Sequence, residues 1–216
     1  MRLTKFEHAA LLIEQSGKKL FIDPGMFTTA ITDAMNTAAV VITHEHPDHW
    51  TPEQLRRILE ASPTAVVYGP EGVVNAVREA DASIAVTRVD PGDAVEAGPF
   101  SLRFSGGRHA VIHSSIPVVD NVGVLVNDQL YYPGDSFFVP EGLDVDVLAV
   151  PAGAPWLKIA ESMDYLLEVK PRRAFGTHEM VLSVAGKSMA ADRLRWATEQ
   201  GGGEYLDLQP GDSVDL

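Results

Sequence analysis

Hydrophobic and polar residues alternate through the first part of the chain. Residues 2–7 and 9–15 show the two-residue period of half-buried strands, and residues 20–22 form a third short apolar run. The turn residues Ser16-Gly17-Lys18-Lys19 precede this third run, and Asp23-Pro24-Gly25 ends it. The pattern predicts a meander of short strands.

The next apolar segment, residues 38–43, shows no polar alternation and ends at His44. Such a run is typical of a strand that is buried on both faces. Thr51-Pro52-Glu53 then supplies a helix N-cap, a first-turn proline and an acidic first turn. These signals predict a helix over residues 51–61. Its inward-facing residues are expected to be Leu55, Ile58 and Leu59.

The rest of the chain mixes short strands with helices. Asn127-Asp128 lies between two apolar runs and predicts a hairpin turn. The predicted strands cover residues 100–104, 121–126, 129–132, 145–150, 173–176 and 205–208, and the predicted helices cover residues 71–79, 158–169 and 184–199.

Strands outnumber helices and fall into two sets, at about residues 1–115 and 116–216. Each set has hairpin strands first and alternating strands and helices later. This order predicts an α/β fold, an αββα sandwich of two mixed β-sheets with helices on the outer faces. Because no linker rich in proline, glycine or serine divides the sets, we expect a single domain over residues 1–216.

Composition narrows the function classes. Lys and Arg total 17 while Asp and Glu total 30, so the formal net charge is −13. An acidic chain of this kind is not expected to bind nucleic acid or an anionic membrane surface, because both rely on clustered basic residues. Neither a signal peptide nor a membrane-spanning apolar stretch is recognisable, so we expect a cytoplasmic protein. The chain has no cysteine, which leaves His, Asp and Glu as metal ligands.

The segment after the predicted buried strand over residues 38–43 has a dense set of such ligands. It reads His44-Glu45-His46-Pro47-Asp48-His49. Neutral imidazole and carboxylate suit Zn²⁺ and similar ions. Residues i and i+2 share a side on an extended backbone, so His44 and His46 can converge on one ion while Asp48 and His49 face a second.

Other candidate ligands also follow predicted strands. His109 and His113 come after residues 100–104, Asp135 comes after the hairpin, and His178 follows residues 173–176. His8, within the first meander, falls outside this set.

In this order, the motif and the later ligands resemble the metallo-β-lactamase fold superfamily of binuclear metal hydrolases. The Phe21-Ile22-Asp23-Pro24-Gly25 segment is similar to an early turn of that family. Phe6-Glu7-His8-Ala9 and Tyr132-Pro133-Gly134-Asp135-Ser136 most resemble the branch that includes the L-ascorbate-6-phosphate lactonase. The resemblance extends over essentially the whole chain.

The resemblance implies two divalent metal ions, with zinc preferred and manganese or iron as alternatives. It implies that the first ion is bound by His44, His46 and His109, that the second is bound by Asp48, His49 and His178, and that Asp135 bridges them. A hydroxide activated by both ions would attack a small ester, lactone or phosphodiester, and Asp48 would take up the released proton.

Several assignments stay open at this point. Either His109 or His113 can be the third ligand of the first ion; we prefer His109, which leaves His113 as a catalytic proton donor, a substrate contact or a structural residue. Asp23 is expected to accept a hydrogen bond that orients a ligand imidazole, and His8 is expected to form hydrogen bonds beside the ligands. The candidate substrate contacts are Arg108, Ser136, Trp156 and Lys158; Arg108 can equally be a surface charge, and Trp156 can equally pack in the core.

Two functions therefore compete. The favoured one is a binuclear metal-dependent hydrolase that acts on a small molecule. The alternative is a metal-binding sensor or scaffold that retains the ligands without catalysis. The sequence leaves open whether the chain forms a homo-oligomer.

Overall fold

The computed structural model describes residues 1–140, 142 and 144–216 and contains two seven-stranded β-sheets. The first sheet comprises β1 (Arg2–Lys5), β2 (Leu11–Gln15), β3 (Lys18–Ile22), β4 (Thr37–Val41), β5 (Val66–Gly69), β6 (Val86–Arg88) and β14 (Ser213–Asp215). Their spatial order is β14-β1-β2-β3-β4-β5-β6. The strands from β14 to β3 pair antiparallel and those from β3 to β6 pair parallel, so the sheet is mixed.

The second sheet is also mixed. It comprises β7 (Ala94–Ala97), β8 (Phe100–Arg108), β9 (Asp120–Val126), β10 (Leu130–Tyr132), β11 (Val147–Pro151), β12 (Arg173–Thr177) and β13 (Glu204–Tyr205), in the spatial order β13-β12-β11-β10-β9-β8-β7. The predicted hairpin joins β9 and β10. Asn127 and Asp128 both have positive φ, at 50° and 55°. This conformation suits the right-handed twist of paired strands, and Asn and Asp tolerate it well.

Within the described residues, four helices accompany the sheets: α1 (Pro52–Ala61), α2 (Glu71–Ala80), α3 (Ile159–Val169) and α4 (Val184–Gln200). The predicted cap of α1 is confirmed, because the Thr51 side chain accepts a hydrogen bond from the Gln54 backbone N–H. Leu55 and Ile58 are buried and Leu59 is partly buried, as the helical period predicts.

The αββα layering is confirmed by three apolar clusters. Residues of both sheets, such as Ile22 and Phe100, form the central core between them. On the outer face of the first sheet, Val40 packs in one cluster with residues of α1 and α2. On the outer face of the second sheet, Leu148 packs in another with residues of α3 and α4. Each sheet thus has one face on the shared core and one face under a pair of helices.

Two predictions about the strands are wrong. The division near residue 115 is too late, because β7 and β8 already belong to the second sheet. The predicted last strand over residues 205–208 is reduced to β13, and a further strand, β14, returns to the first sheet and pairs with β1. Sheet membership depends on pairing between distant segments, which a local pattern does not contain.

The predicted ligands lie beyond the carboxyl ends of strands in both sheets. His44 follows β4 of the first sheet, whereas His109, Asp135 and His178 follow β8, β10 and β12 of the second. The two packed sheets therefore bring these four segments to one edge of the sandwich.

Candidate metal centre

The loop after β4 carries four of the predicted ligands. His44 and His49 are fully buried, whereas His46 and Asp48 are partly exposed. The loop packs against the turn that follows β3, where a Cβ on Gly25 would lie 1.8 Å from the backbone oxygen of Asp48. Only glycine permits this approach. The turn thus fixes the position of the histidine-rich loop.

The first group of converging side chains consists of His44, His46 and His109. Their ligand atoms lie within 4.8 Å of one another, and His44 Nε2 is 3.1 Å from His46 Nδ1. The Nδ1 atom of His109 lies 2.6 Å from the Ala110 carbonyl oxygen, to which it donates. The Nε2 atom of His109, on the other side of the ring, makes no hydrogen bond to the described residues.

His113 lies outside the groups of converging side chains found among the described residues. It is exposed, and its Nδ1 atom is 2.7 Å from Ser115 Oγ. The geometry therefore favours His109 for the first group. A catalytic role for His113 stays a prediction.

The second group consists of His8, Asp48, His49 and His178, whose ligand atoms also lie within 4.8 Å of one another. His178 Nδ1 is 2.8 Å from the Gly153 carbonyl oxygen, to which it donates. The opposite nitrogen, His178 Nε2, is 3.3 Å from Asp48 Oδ2.

Asp135 lies between the two groups. Its Oδ1 atom is 3.3 Å from His49 Nε2. Its Oδ2 atom is 3.3 Å from His109 Nε2 and 3.1 Å from His178 Nε2. A fourth distance, 3.9 Å, joins Asp135 Oδ2 to His44 Nε2. Asp135 is thus the side chain that contacts members of both groups.

Three buried nitrogens test whether this cluster suits a metal. The Nε2 atoms of His49, His109 and His178 make no hydrogen bond to the described part of the chain. Burial of a polar atom without a partner is costly, and all three atoms face Asp135. Unpaired imidazole nitrogens beside carboxylates form the donor set that divalent zinc, manganese or iron takes. The residues present therefore fit such ions.

Asp23 lies behind the loop and is fully buried. Its carboxylate accepts hydrogen bonds from the Thr43 backbone N–H at 2.8 Å and from Thr43 Oγ1 at 2.6 Å. The same carboxylate is 2.7 Å from His49 Nδ1. A carboxylate in this place fixes the ring orientation of a ligating histidine, in keeping with the supporting role predicted for Asp23.

His8 is also fully buried, and it has a positive φ of 61°. Its Nδ1 atom accepts a hydrogen bond from the Met180 backbone N–H at 3.3 Å. In the neutral ring the proton then lies on Nε2, which donates to Asp48 Oδ2 at 3.2 Å. This tautomer suits a residue that orients Asp48 rather than one that binds an ion.

Electrostatics divides the histidines of the site into two kinds. Burial lowers the pKa of His44 well below its usual value and also lowers that of His46, and the positive charge of neighbouring histidines acts in the same direction. Burial opposes protonation of His49 and His178 too, but Asp135 outweighs it. The pKa of His49 is raised well above its usual value, and that of His178 is raised to about 9.

The two carboxylates of the cluster are held ionised. Burial alone would raise the pKa of Asp135, but the charges of His49 and His178 hold it well below its usual range. Burial likewise opposes ionisation of Asp48, but the nearby His178 ring and the hydrogen bond with His8 lower its pKa nonetheless. Both are in the form that a metal ion requires.

The predicted substrate contacts fall in different places. Trp156 adjoins the cluster, where its Nε1–H donates to Asp135 Oδ2 at 3.1 Å. Arg108 and Ser136 line a cavity beside His109. Ser136 is buried, and its hydroxyl donates to the Pro133 carbonyl. Lys158 is exposed and occupies the N-cap of α3.

Sequence reasoning missed Asn121, which supports Asp135. Its Oδ1 atom accepts the Asp135 backbone N–H at 3.0 Å, and its Nδ2 donates to the Pro133 carbonyl at 2.9 Å. The sequence signal that could have identified it is an asparagine in an otherwise apolar strand, because a buried amide needs hydrogen-bond partners.

The beta-lactamase superfamily domain model matches residues 2–178, which is most of the chain. The chain belongs to the beta-lactamase superfamily. Within it, Protein Rv0786c of Mycobacterium tuberculosis is 39% identical over 199 residues, a match that covers 90% of this chain and 91% of that protein.

Solved structures show that this superfamily member has the metallo-β-lactamase fold. Igni18, a metallo hydrolase from Ignicoccus hospitalis, superposes with a TM-score of 0.74 at 18% identity and covers 99% of this chain and 97% of its own. CmlA, a diiron β-hydroxylase from Streptomyces venezuelae, superposes with a TM-score of 0.77 at 14% identity, over 100% of this chain and 54% of its own. At such identities the likeness concerns the fold alone.

The chain is thus a beta-lactamase superfamily member with the metallo-β-lactamase fold, and its His/Asp cluster is a candidate metal centre. Across residues 1–140, 142 and 144–216, none of the helices has both the length and the hydropathy that crossing a bilayer requires.

Proposed function

We propose that the chain is a hydrolase that uses two divalent metal ions. The observation that carries this proposal is the position of Asp135, whose carboxylate contacts histidines of both groups. His44, His46 and His109 would hold the first ion, Asp48, His49 and His178 would hold the second, and Asp135 would be shared. Zinc is the preferred ion for a histidine-rich site, with manganese or iron as alternatives.

When bound, two such ions lower the pKa of water and stabilise negative charge on the reacting group. Asp48 is suited to accept the proton that the water loses, since it is the partly exposed carboxylate of the cluster, with a side chain 21% exposed. Its contacts to His8 and His178 both run through Oδ2. The orientation that these contacts give leaves Oδ1 for the proton.

The proposed substrate is a small ester, lactone or phosphodiester. Its polar reacting bond would lie at the open side of the cluster, where His46 and Asp48 are partly exposed. The net charge of −13 argues against nucleic acid and anionic membranes as partners. The lactonase-like branch, cytoplasmic residence and the oligomeric state stay predictions.

Elemental analysis of the purified protein, followed by turnover assays with the identified metal, tests the proposal. We expect about two ions per chain and metal-dependent hydrolysis of at least one ester, lactone or phosphodiester. Asp135→Ala should abolish turnover. Asp33→Ala, at a carboxylate whose side chain is 81% exposed, is the matched control and should retain it.

Two results would overturn this function. Full activity of Asp135→Ala would remove the shared carboxylate from the reaction. A protein that binds two ions yet hydrolyses no member of the substrate panel would instead be a metal-binding sensor or scaffold.

A further inference from the structure

A cavity of about 430 Å³ opens beside His109 at the first group. Arg108 and Ser136 line it together with the aromatic side chains of Phe137 and Phe138. This volume lies within the range of small-molecule sites, and a cavity of about 150 Å³ is enough to hold benzene. The space can therefore take a ring and its substituent while the reacting bond lies at the cluster.

Arg108 and His109 both line this cavity although they are neighbours in sequence. Side chains at consecutive positions of a regular strand point to opposite faces. Here β8 ends at Arg108, and Gly106 and Gly107 have positive φ values of 88° and 132°. Pairing with β9 continues to Arg108 without a register shift, but the positive φ values distort the backbone just before it. This distortion allows the cation and the candidate ligand to share one space.

Arg108 makes no ion pair within the part of the chain that the structure describes, although the protein has a large excess of acidic residues. Six other arginines do pair with carboxylates: Arg56 with Asp81, Arg88 with Asp90, Arg103 with Asp128, Arg172 with Asp144, Arg173 with Asp146 and Arg195 with Asp207. Among the arginines without an ion pair to the described residues, Arg108 is distinguished by lining the cavity beside His109. An exposed guanidinium on a cavity wall, with its charge unmatched by any described carboxylate, is suited to bind an anion.

Two phenylalanines also line the cavity. The Phe137 ring packs at 5.6 Å from the Trp156 ring and at 5.6 Å from the Tyr165 ring, which fixes it in an aromatic cluster. The Phe138 side chain remains 39% exposed. Aromatic side chains that line a cavity offer apolar surface that an apolar group of a ligand can cover.

We propose that this cavity binds the part of the substrate remote from the reacting bond, and that this part is an apolar, preferably aromatic, group carrying an anion. The anion, a carboxylate or a phosphoryl group, pairs with Arg108, and the apolar body packs against Phe138. This inference rests on the proposed hydrolase function, which it deepens by naming the substrate class.

The first experiment compares two esters of similar shape on the metal-loaded protein, para-acetoxybenzoate and para-acetoxybenzamide. We expect kcat/KM to favour the anionic ester by about tenfold, since hydrogen bonds to a charged group are the stronger ones. In Arg108→Gln the ratio of the two kcat/KM values should fall to about one. Arg103→Gln, on the same strand but ion-paired with Asp128, is the control and should keep the preference.

The second experiment needs no turnover. Binding of benzoate, benzamide and phenylphosphonate to chelator-treated protein is measured by calorimetry. We expect both anions to bind more tightly than benzamide, and their Kd to weaken about tenfold in Arg108→Gln. Phe138→Ser should weaken the binding of both anions and of benzamide to the same extent. Val184→Ser, at a residue 87% exposed on α4, should leave the binding of all three unchanged. The ratio of the Kd values of benzoate and phenylphosphonate shows whether the site prefers a carboxylate or a phosphoryl group.

The outcomes separate this inference from the proposed function. Hydrolysis of both esters with equal kcat/KM, or anion binding unchanged by Arg108→Gln, would overturn the inference and leave the hydrolase intact. Absence of ester hydrolysis together with Arg108-dependent binding of benzoate would leave the anion site intact and count against the hydrolase.

Discussion

The two groups of converging side chains offer similar ligands but differ in charge. Around His44 and His46, burial and the charge of neighbouring histidines outweigh the nearby carboxylates and lower the pKa of both rings. Around His49 and His178 the neighbours include the carboxylates of Asp48 and Asp135, which favour protonated rings. The first group is thus ready to accept an ion, whereas the second must lose protons first.

The largest expected effect comes from removing one candidate ligand from either the first or the second group. His46→Asn and His178→Asn should each reduce the metal content from about two ions to one and lower kcat/KM by about a thousandfold, because each ion supplies several kcal/mol of charge stabilisation. Elemental analysis and turnover assays would check both. Retention of two ions and full turnover in either variant would contradict the assignment of that group.

A smaller effect is expected from Asp23, which contacts the second group alone. Asp23→Asn weakens the contact that orients His49, so the affinity for the second ion should fall by about 10- to 100-fold while the first ion is retained. Competition with a chromophoric chelator measures both affinities. Thermal unfolding of the chelated variant shows whether the fold survives, and equal loss of both ions would contradict the selective role.

Metal binding should also depend on pH in a way that separates the groups. In the metal-free protein the pKa of His178 is raised from 6.5 to about 9. A raised pKa stabilises the fold fully below pH 6.5, and this contribution is lost as the pH rises towards 9. A bound ion replaces the proton, so affinity for the second ion should rise by about tenfold per pH unit for each proton displaced in that window.

The difference in Tm between metal-loaded and chelated protein measures this linkage. We expect the difference to widen from pH 6.5 to pH 9, and proton release should appear in calorimetry with buffers of different ionisation enthalpy. A constant difference and binding without proton release would show that His178 is neutral before the ion binds.

The smallest expected effect concerns Trp156, which donates one hydrogen bond to Asp135. Trp156→Phe keeps an aromatic ring beside His109 but removes the donor. We expect ion affinity to change by about threefold to tenfold, the effect of a single hydrogen bond of about 1 kcal/mol. Trp196→Phe, at a residue 48% exposed, should change nothing, and an equal change in both variants would exclude a specific role for the indole N–H.

Local sequence signals sufficed for features whose partners are near in the chain. The buried strand before His44, the hairpin at Asn127-Asp128 and the cap at Thr51 each depend on a few consecutive residues. The strand β14 was missed because Ser213–Asp215 is short and only partly buried, and it becomes a strand through pairing with β1 at the other end of the chain.

The site shows the same division between local and distant information. The His44–His49 motif is visible in the sequence, and the geometry brings Asp135, His109 and His178 to it as expected. The orientation of Arg108 was not predictable, since it depends on two glycine conformations at the end of β8. The support of Asp135 by Asn121 depends on a contact between β9 and the turn after β10, which the spacing of residues in the sequence does not predict.

Gly25 bears on how relatives of this protein are classified. A methyl group at that position would collide with the backbone of Asp48, so Gly25→Ala would displace the loop while every candidate ligand stayed in the sequence. A homologue with a complete set of histidines and aspartates but a larger residue here would then be counted as active by motif and inactive by assay. Surveys of the superfamily should inspect this glycine alongside the ligands.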